Sequence, residues 1–361
     1  MNIKSLLLGS AAALAAVSGA QAADAIIAAE PEPMEYVRVC DAFGTGYFYI
    51  PGTETCLKIG GYVRFQVDFD SRDAAEFGAY DDDNWDAFTR GRLEVTAKSD
   101  TELGELTSFI ALQAEASDYS TRTGSTGDFY FDEVYLQLGG FKAGTYLNWW
   151  DKGINGETDV LGGLTRTTSI AYIYTGDAFT AGIQLDELTN EEWVDFNGNG
   201  LVTAAERVGG QDFGIEAIVT ASLGAASVDL LGSYDFANED GAVRALVSAG
   251  IGPGTLQLAG VWASGYNVYY NAAEWTIAAS YSFKATDKFT ITPGVQYFAN
   301  TGLDSDGDFG GDDAWRAGLT VDYAITSGLA MKVSAQWNDE GRRGTADDDY
   351  WDGFVRLQRS F

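Results

Sequence analysis

The chain has 361 residues, no histidine and two cysteines, and its 53 acidic side chains against 22 basic ones give a net charge of -31. So large an acidic excess argues against nucleic acid as a partner. The missing histidine removes Ser-His-Asp and Cys-His catalysis and most zinc sites together, so the sequence predicts neither an enzyme nor a required cofactor.

Residues 1–22 read as a signal peptide. Lys4 supplies the positive start, Leu6 to Val17 a short apolar run, and Ala20-Gln21-Ala22 the small-x-small cleavage pattern. The run is too short to span a bilayer. Residues 23–56 form a second region, a polar lead followed by a segment bounded by Cys40 and Cys56. In an exported protein those thiols default to a disulfide, whose closed loop would contribute roughly 3 kcal/mol; the alternative is two buried free thiols.

Residues 57–361 carry sixteen candidate strands: 57–70, 86–98, 104–116, 129–138, 141–147, 166–175, 178–187, 211–222, 226–236, 241–250, 254–264, 272–283, 287–299, 314–325, 328–338 and 350–361. Several alternate with period two. In the first, Ile59, Val63, Phe65, Val67 and Phe69 oppose Lys58, Arg64, Gln66 and Asp68. In the fifteenth, Met331, Val333, Ala335 and Trp337 oppose Lys332, Ser334 and Gln336. The last ends the chain on Phe361, with Val355 and Leu357 opposing Arg356 and Gln358. Alternation is weakest in 141–147 and 166–175.

The connections add a second rhythm. They are long at 71–85, 117–128, 148–165, 188–210, 300–313 and 339–349, and short in between, as at Gly139-Gly140, Gly176-Asp177 and Thr326-Ser327; the connection after the ninth strand is short and breaks the rule. Apolar-out, polar-in strands with long loops at one end and tight turns at the other predict an all-β fold, a sixteen-stranded antiparallel transmembrane β-barrel. Such a barrel is too wide for side chains to fill and should hold water.

Two loops suggest sites. The third long loop contains Asp151, Glu157 and Asp159. Folded inward, it would set these acids opposite Arg64, Arg90, Arg92, Arg316, Lys332 and Arg356, which lie on the first two and last three strands and form one arc once the barrel closes. Facing arcs of opposite charge discriminate ions at a pore constriction. The alternative is an outward loop with arginines merely lining a wide pore. The acidic excess suggests a cation preference, and the basic wall opposes it.

The loop 188–210 holds Asp195, Asn197, Asn199, Gly200, Leu201 and Glu206, which fit the twelve-residue Ca²⁺ loop at every specified position. Side-chain oxygens at 195, 197 and 199, the Leu201 carbonyl and a bidentate Glu206 would wrap a hard cation. No flanking helices are evident. Asp304-Ser-Asp306-Gly-Asp308 lacks the required Gly and Glu and reads as a solvated acidic loop.

The signal MNIKSLLLGSAAALAA, the segment YVRVCDAFGTGYFYIPGTETCLKIGGYVRF (36–65), the YLQLGG turn (135–140) and the closing FVRLQRSF (354–361) resemble the general outer-membrane porins of alphaproteobacteria. The resemblance implies a homotrimer in the bacterial outer membrane, among its lipid and lipopolysaccharide, passing small hydrophilic solutes by diffusion. It also supports pairing Cys40 with Cys56. A structural or adhesive barrel with Ca²⁺-stiffened external loops is the alternative.

Overall fold

A computed structural model describes residues 37–71, 85–117, 129–188, 192–193, 207–208, 212–303, 307–311, 313–339 and 349–361. The chain divides into two units, Met1–Arg38 and Val39–Phe361, of which the second is described below. The signal segment and the 195–206 loop lie outside the described residues.

The second unit is built on sixteen barrel strands. They are β1 (Cys56–Asp70), β2 (Trp85–Thr101), β3 (Gly104–Ser117), β4 (Tyr130–Leu138), β5 (Phe141–Leu147), β6 (Arg166–Thr175), β7 (Phe179–Leu188), β8 (Asp212–Leu223), β9 (Ala226–Asp235), β10 (Asp240–Ile251), β11 (Gly254–Ala263), β12 (Trp275–Lys284), β13 (Phe289–Ala299), β14 (Ala314–Thr326), β15 (Leu329–Asn338) and β16 (Tyr350–Ser360). Each pairs antiparallel with its sequence neighbours. β16 pairs back onto β1, from Tyr62 opposite Ser360 to Asp70 opposite Asp352, so the sheet closes. Gly61 and Phe361 exchange both backbone bonds at the foot of this seam, at 3.2 and 3.1 Å. Closure leaves no long free edge, which is what allows strands to cross a lipid layer.

The turns at the end holding the C-terminus are tight, and residues such as Gly139 (φ 55°) and Gly328 (φ 71°) supply the left-handed conformation they need. At the other end the strands are joined by the longer connections, apart from the one between Asp235 and Asp240.

Apolar side chains face out. Ile59, Val63, Phe65, Leu136, Ile170, Ile183, Leu185, Leu230, Val243 and Ile277 are all exposed. In water this band would cost roughly 25 cal/mol for each Å²; in hydrocarbon the cost vanishes. Aromatic residues ring the band at both ends. Tyr172, Tyr174, Phe179 and Phe289 lie toward the tight turns, and Trp85, Trp262, Trp315 and Trp351 toward the loops.

The interior is not uniformly wet. Trp150, Ile154 and Leu161, from the connection between β5 and β6, pack with Val268, Tyr269 and Tyr270, from the connection between β11 and β12. Both sets press on Leu188, Ile218, Leu231, Leu246, Val261 and Phe298 of the wall. One side of the barrel, β7 to β13, therefore carries a packed core. The charged side chains of β14 to β4 face it.

The Cys40–Cys56 disulfide is present, with Cα atoms 5.9 Å apart. It packs with Tyr47, Phe43 and Tyr49. Phe48 and Tyr49 pair with Leu57 and Cys56, on the part of β1 that runs past the end of β16.

Candidate functional site

The connection 148–165 bonds to the polar faces of five strands. Lys152 pairs with Asp229 of β9. Asn155 N donates to Gln257 Oε1 of β11 at 2.6 Å. Val160 exchanges two bonds with the Gln296 amide of β13, at 2.7 and 2.9 Å. Glu157 Oε1 accepts from Lys332 Nζ of β15 at 2.6 Å. Arg244 of β10, 2% exposed, donates to the carbonyls of Trp149 (2.6 Å), Trp150 (3.1 Å) and Leu161 (3.3 Å). A guanidinium suits this task because its planar fork reaches several carbonyls at once.

Bare spots on the wall make room. A side chain at Gly294 would put its Cβ 2.5 Å from Thr158 Oγ1, and one at Gly182 would collide with the Trp149 ring.

The connection 264–274 was not singled out by the sequence. It pins 148–165 from the loop end. Gly163 N donates to Tyr269 O and Leu164 N to Val268 O, both at 2.7 Å. Trp150 stacks on Tyr270, with ring centroids 6.5 Å apart. Tyr269 Oη donates to Asp186 Oδ2 of β7 at 2.7 Å. Burial and the adjacent Asp186 carboxylate hold that phenol protonated, far above its ordinary range. Asp186 also accepts from Thr167, Ser169 and Gln184.

The three loop acids have different surroundings. Glu157 reaches Lys332. Asp159 Oδ2 accepts from Ile154 N of its own loop at 3.3 Å, and burial pushes its carboxyl up to about 6. Asp151 is likewise raised by burial.

The six basic residues sit on the polar faces of β1, β2, β14, β15 and β16. Arg90 Nε donates to Glu115 at 2.5 Å. Arg92 pairs with Glu94 (2.7 Å), Glu133 (2.9 Å) and Asp132, and Asp132 also holds Arg166. Arg316 meets Asp352 at 3.1 Å. Lys332 lies 3.7 Å from Asp322 as well as touching Glu157. Arg64 and Arg356 bond to glutamines. The sequence had not shown that Glu94, Glu115, Asp132, Glu133 and Asp352 interleave with the cations; cross-strand register sets those pairs.

A closed sixteen-stranded barrel with an apolar, aromatic-ringed exterior and a charged interior defines an outer-membrane channel protein. A family model described as "Porin subfamily" matches residues 24–354, and the chain belongs to that family. It is 54% identical to the putative outer membrane protein y4fJ of Sinorhizobium fredii, over all of this chain and 99% of that one. It is 36% identical to porin Omp2a of Brucella suis, over the full length of both. Among solved structures it resembles OmpT of Vibrio cholerae in its trimer form, with a TM-score of 0.58 and 14% identity, over 86% of this chain and all of that one. The protein is a porin of the outer membrane.

Proposed function

We propose that this porin is a passive diffusion channel for small hydrophilic solutes and ions, narrowed where the connection 148–165 faces the arc of Arg64, Arg90, Arg92, Arg316, Lys332 and Arg356. The observation that carries this is the bond from Glu157 to Lys332: a residue of the loop reaches the polar face of the wall ten strands on from β5. Transport then depends on size and charge at that section, with no cofactor and no energy input.

Single-channel recording in a planar bilayer tests the reading. Large stepwise conductance, with permeation falling as uncharged solutes grow, is expected. A folded, heat-modifiable barrel that stays silent would overturn it and favour the structural or adhesive role. Homotrimeric assembly is proposed on the family resemblance, and steps appearing in threes would support it. A Ca²⁺ ion on Asp195, Asn197, Asn199, Leu201 and Glu206 rests on the spacing of those residues; equilibrium dialysis with ⁴⁵Ca²⁺ against Glu206→Gln tests it.

A further inference from the structure

Two cations of the basic arc, Arg64 and Arg356, lack a feature the other four have. Among the described residues, Arg90, Arg92, Arg166, Arg316, Lys152 and Lys332 each have a carboxylate at ion-pair distance. No such carboxylate is found at Arg64 or Arg356. Each is held by a neutral amide instead. Arg64 Nε donates to Gln358 Oε1 at 2.9 Å, and Arg356 Nε donates to Gln66 Oε1 at 2.5 Å.

The arrangement is reciprocal. β1 carries Arg64-Phe65-Gln66 and β16 carries Arg356-Leu357-Gln358. The antiparallel register of the closing seam sets Arg64 opposite Gln358 and Gln66 opposite Arg356. Gln66 is oriented in turn by donating to Asp68 Oδ1 at 2.6 Å. An aromatic ring lies under each guanidinium, Tyr62 at 4.7 Å and Phe354 at 4.2 Å, which fixes the planes. Only Nε is used in each clamp. Among the described residues, the terminal nitrogens of both half-buried arginines have no hydrogen-bond partner.

We propose that Arg64 and Arg356 form an oxyanion-binding subsite, taking small solutes that carry a carboxylate or phosphate group. The proposal rests on the channel reading above and adds a ligand class to it. Terminal guanidinium nitrogens match two oxygens of such a group in a bidentate way that an ammonium cannot. The carboxylates around the pair are already engaged: Glu157 with Lys332, Glu115 with Arg90, Asp68 with Gln66. Further basic charge lies beside it, because Arg90 stands opposite Arg64 and Lys332 opposite Arg356 in the ladder. In a chain of net charge -31, a local cationic step of this kind raises the concentration of anions that the rest of the surface repels. Neutral clamps hold the guanidiniums in place without competing for the ligand, and the absence of a full cage keeps binding weak enough for release.

The test uses the full mature protein in a planar bilayer, with chloride as the current carrier and inorganic phosphate as the probe. Phosphate is expected to reduce the chloride current saturably. In the double variant Arg64→Gln/Arg356→Gln the half-blocking concentration should rise about tenfold. No saturable block in the native protein, or the same block in both, overturns the subsite. If the double variant does not reach the heat-modifiable folded form, Arg64→Lys/Arg356→Lys replaces it. That pair keeps the charge and loses the fork, so block must weaken severalfold, and unchanged block overturns the proposal. A folded protein with no current overturns the channel reading. Calorimetric titration of phosphate into the detergent-solubilised native and variant barrels then decides the subsite by itself.

Discussion

Arg244 shows how one side chain can hold a whole connection. It is buried, and its guanidinium bonds three carbonyls of 148–165. Removing it leaves those acceptors facing an apolar cluster, at roughly 1–3 kcal/mol for each one left unpaired. Arg244→Met should give a folded barrel whose open-channel current is larger and noisier, and Arg244→Lys should not restore it, since a point charge cannot reach all three. Single-channel recording checks both. Asp159 makes the same loop sensitive to pH. Its folded carboxyl keeps its proton up to about 6, whereas an unfolded aspartate releases it near ~4. The packed loop therefore has a stabilising contribution that is full below ~4 and is lost as pH rises through about 6. The gap of about two units corresponds to on the order of 2–3 kcal/mol. Glu157 and Arg244 are the charged groups acting on it. Open-channel noise should grow as pH rises from about 4 to about 8, with an inflection near 6, and Asp159→Asn should stay quiet throughout.

At the scale of elements, the connection 264–274 governs how firmly 148–165 is held. Gly214 of β8 is the point where the wall yields to it, since a Cβ there would collide with the Tyr269 hydroxyl. Gly214→Ala should displace Tyr269 from Asp186, free Trp150 from its stacking partners and expose 264–274 to protease in the intact barrel, without unfolding the strands. Limited proteolysis with mass mapping reads this directly; resistance equal to the native protein would sink it. The sixteen strands were legible because lipid and water impose opposite chemistry on alternate residues, a signal that survives in sequence. Alternation was weakest in 141–147 and 166–175 for a visible reason. The polar face of β5 holds Lys142, Gly144 and Tyr146, and that of β6 holds Thr167, Ser169 and Ala171, so apart from Lys142 small and aromatic residues stand where charges mark the other strands. The buried loop was not legible. Val268, Tyr269 and Tyr270 fall between the candidate strands 254–264 and 272–283 with no pattern that marks a buried turn, and inward glycines such as Gly182, Gly214 and Gly294 imply close contact without naming the partner. The repeated Arg-x-Gln of β1 and β16 could be read as a pattern, but its reciprocity needed the register across the closed seam.

For the whole molecule, closure is the step that turns sixteen ladders into one object, and the seam is unequal at its foot. β1 begins at Cys56, while its pairing with β16 starts at Tyr62. The stretch Cys56–Gly60 therefore runs past the end of β16, and backbone left unpaired there would be an open edge. Phe48 and Tyr49 cover part of it, and the Cys40–Cys56 bond ties that cover down beside Tyr47 and Phe43. Reducing the bond, or making Cys40→Ser/Cys56→Ser, removes roughly 3 kcal/mol of loop-closure stabilisation from the clip and leaves every barrel ladder in place. Conductance should therefore stay unchanged. Residues 40–55 should become protease-sensitive, and the unfolding half-life of the folded form in hot detergent should shorten, because stability in such a protein is a rate set by the first edge to open. Loss of conductance on reduction would show instead that the clip shapes the lumen, and an unaltered half-life would show that unfolding starts away from the seam.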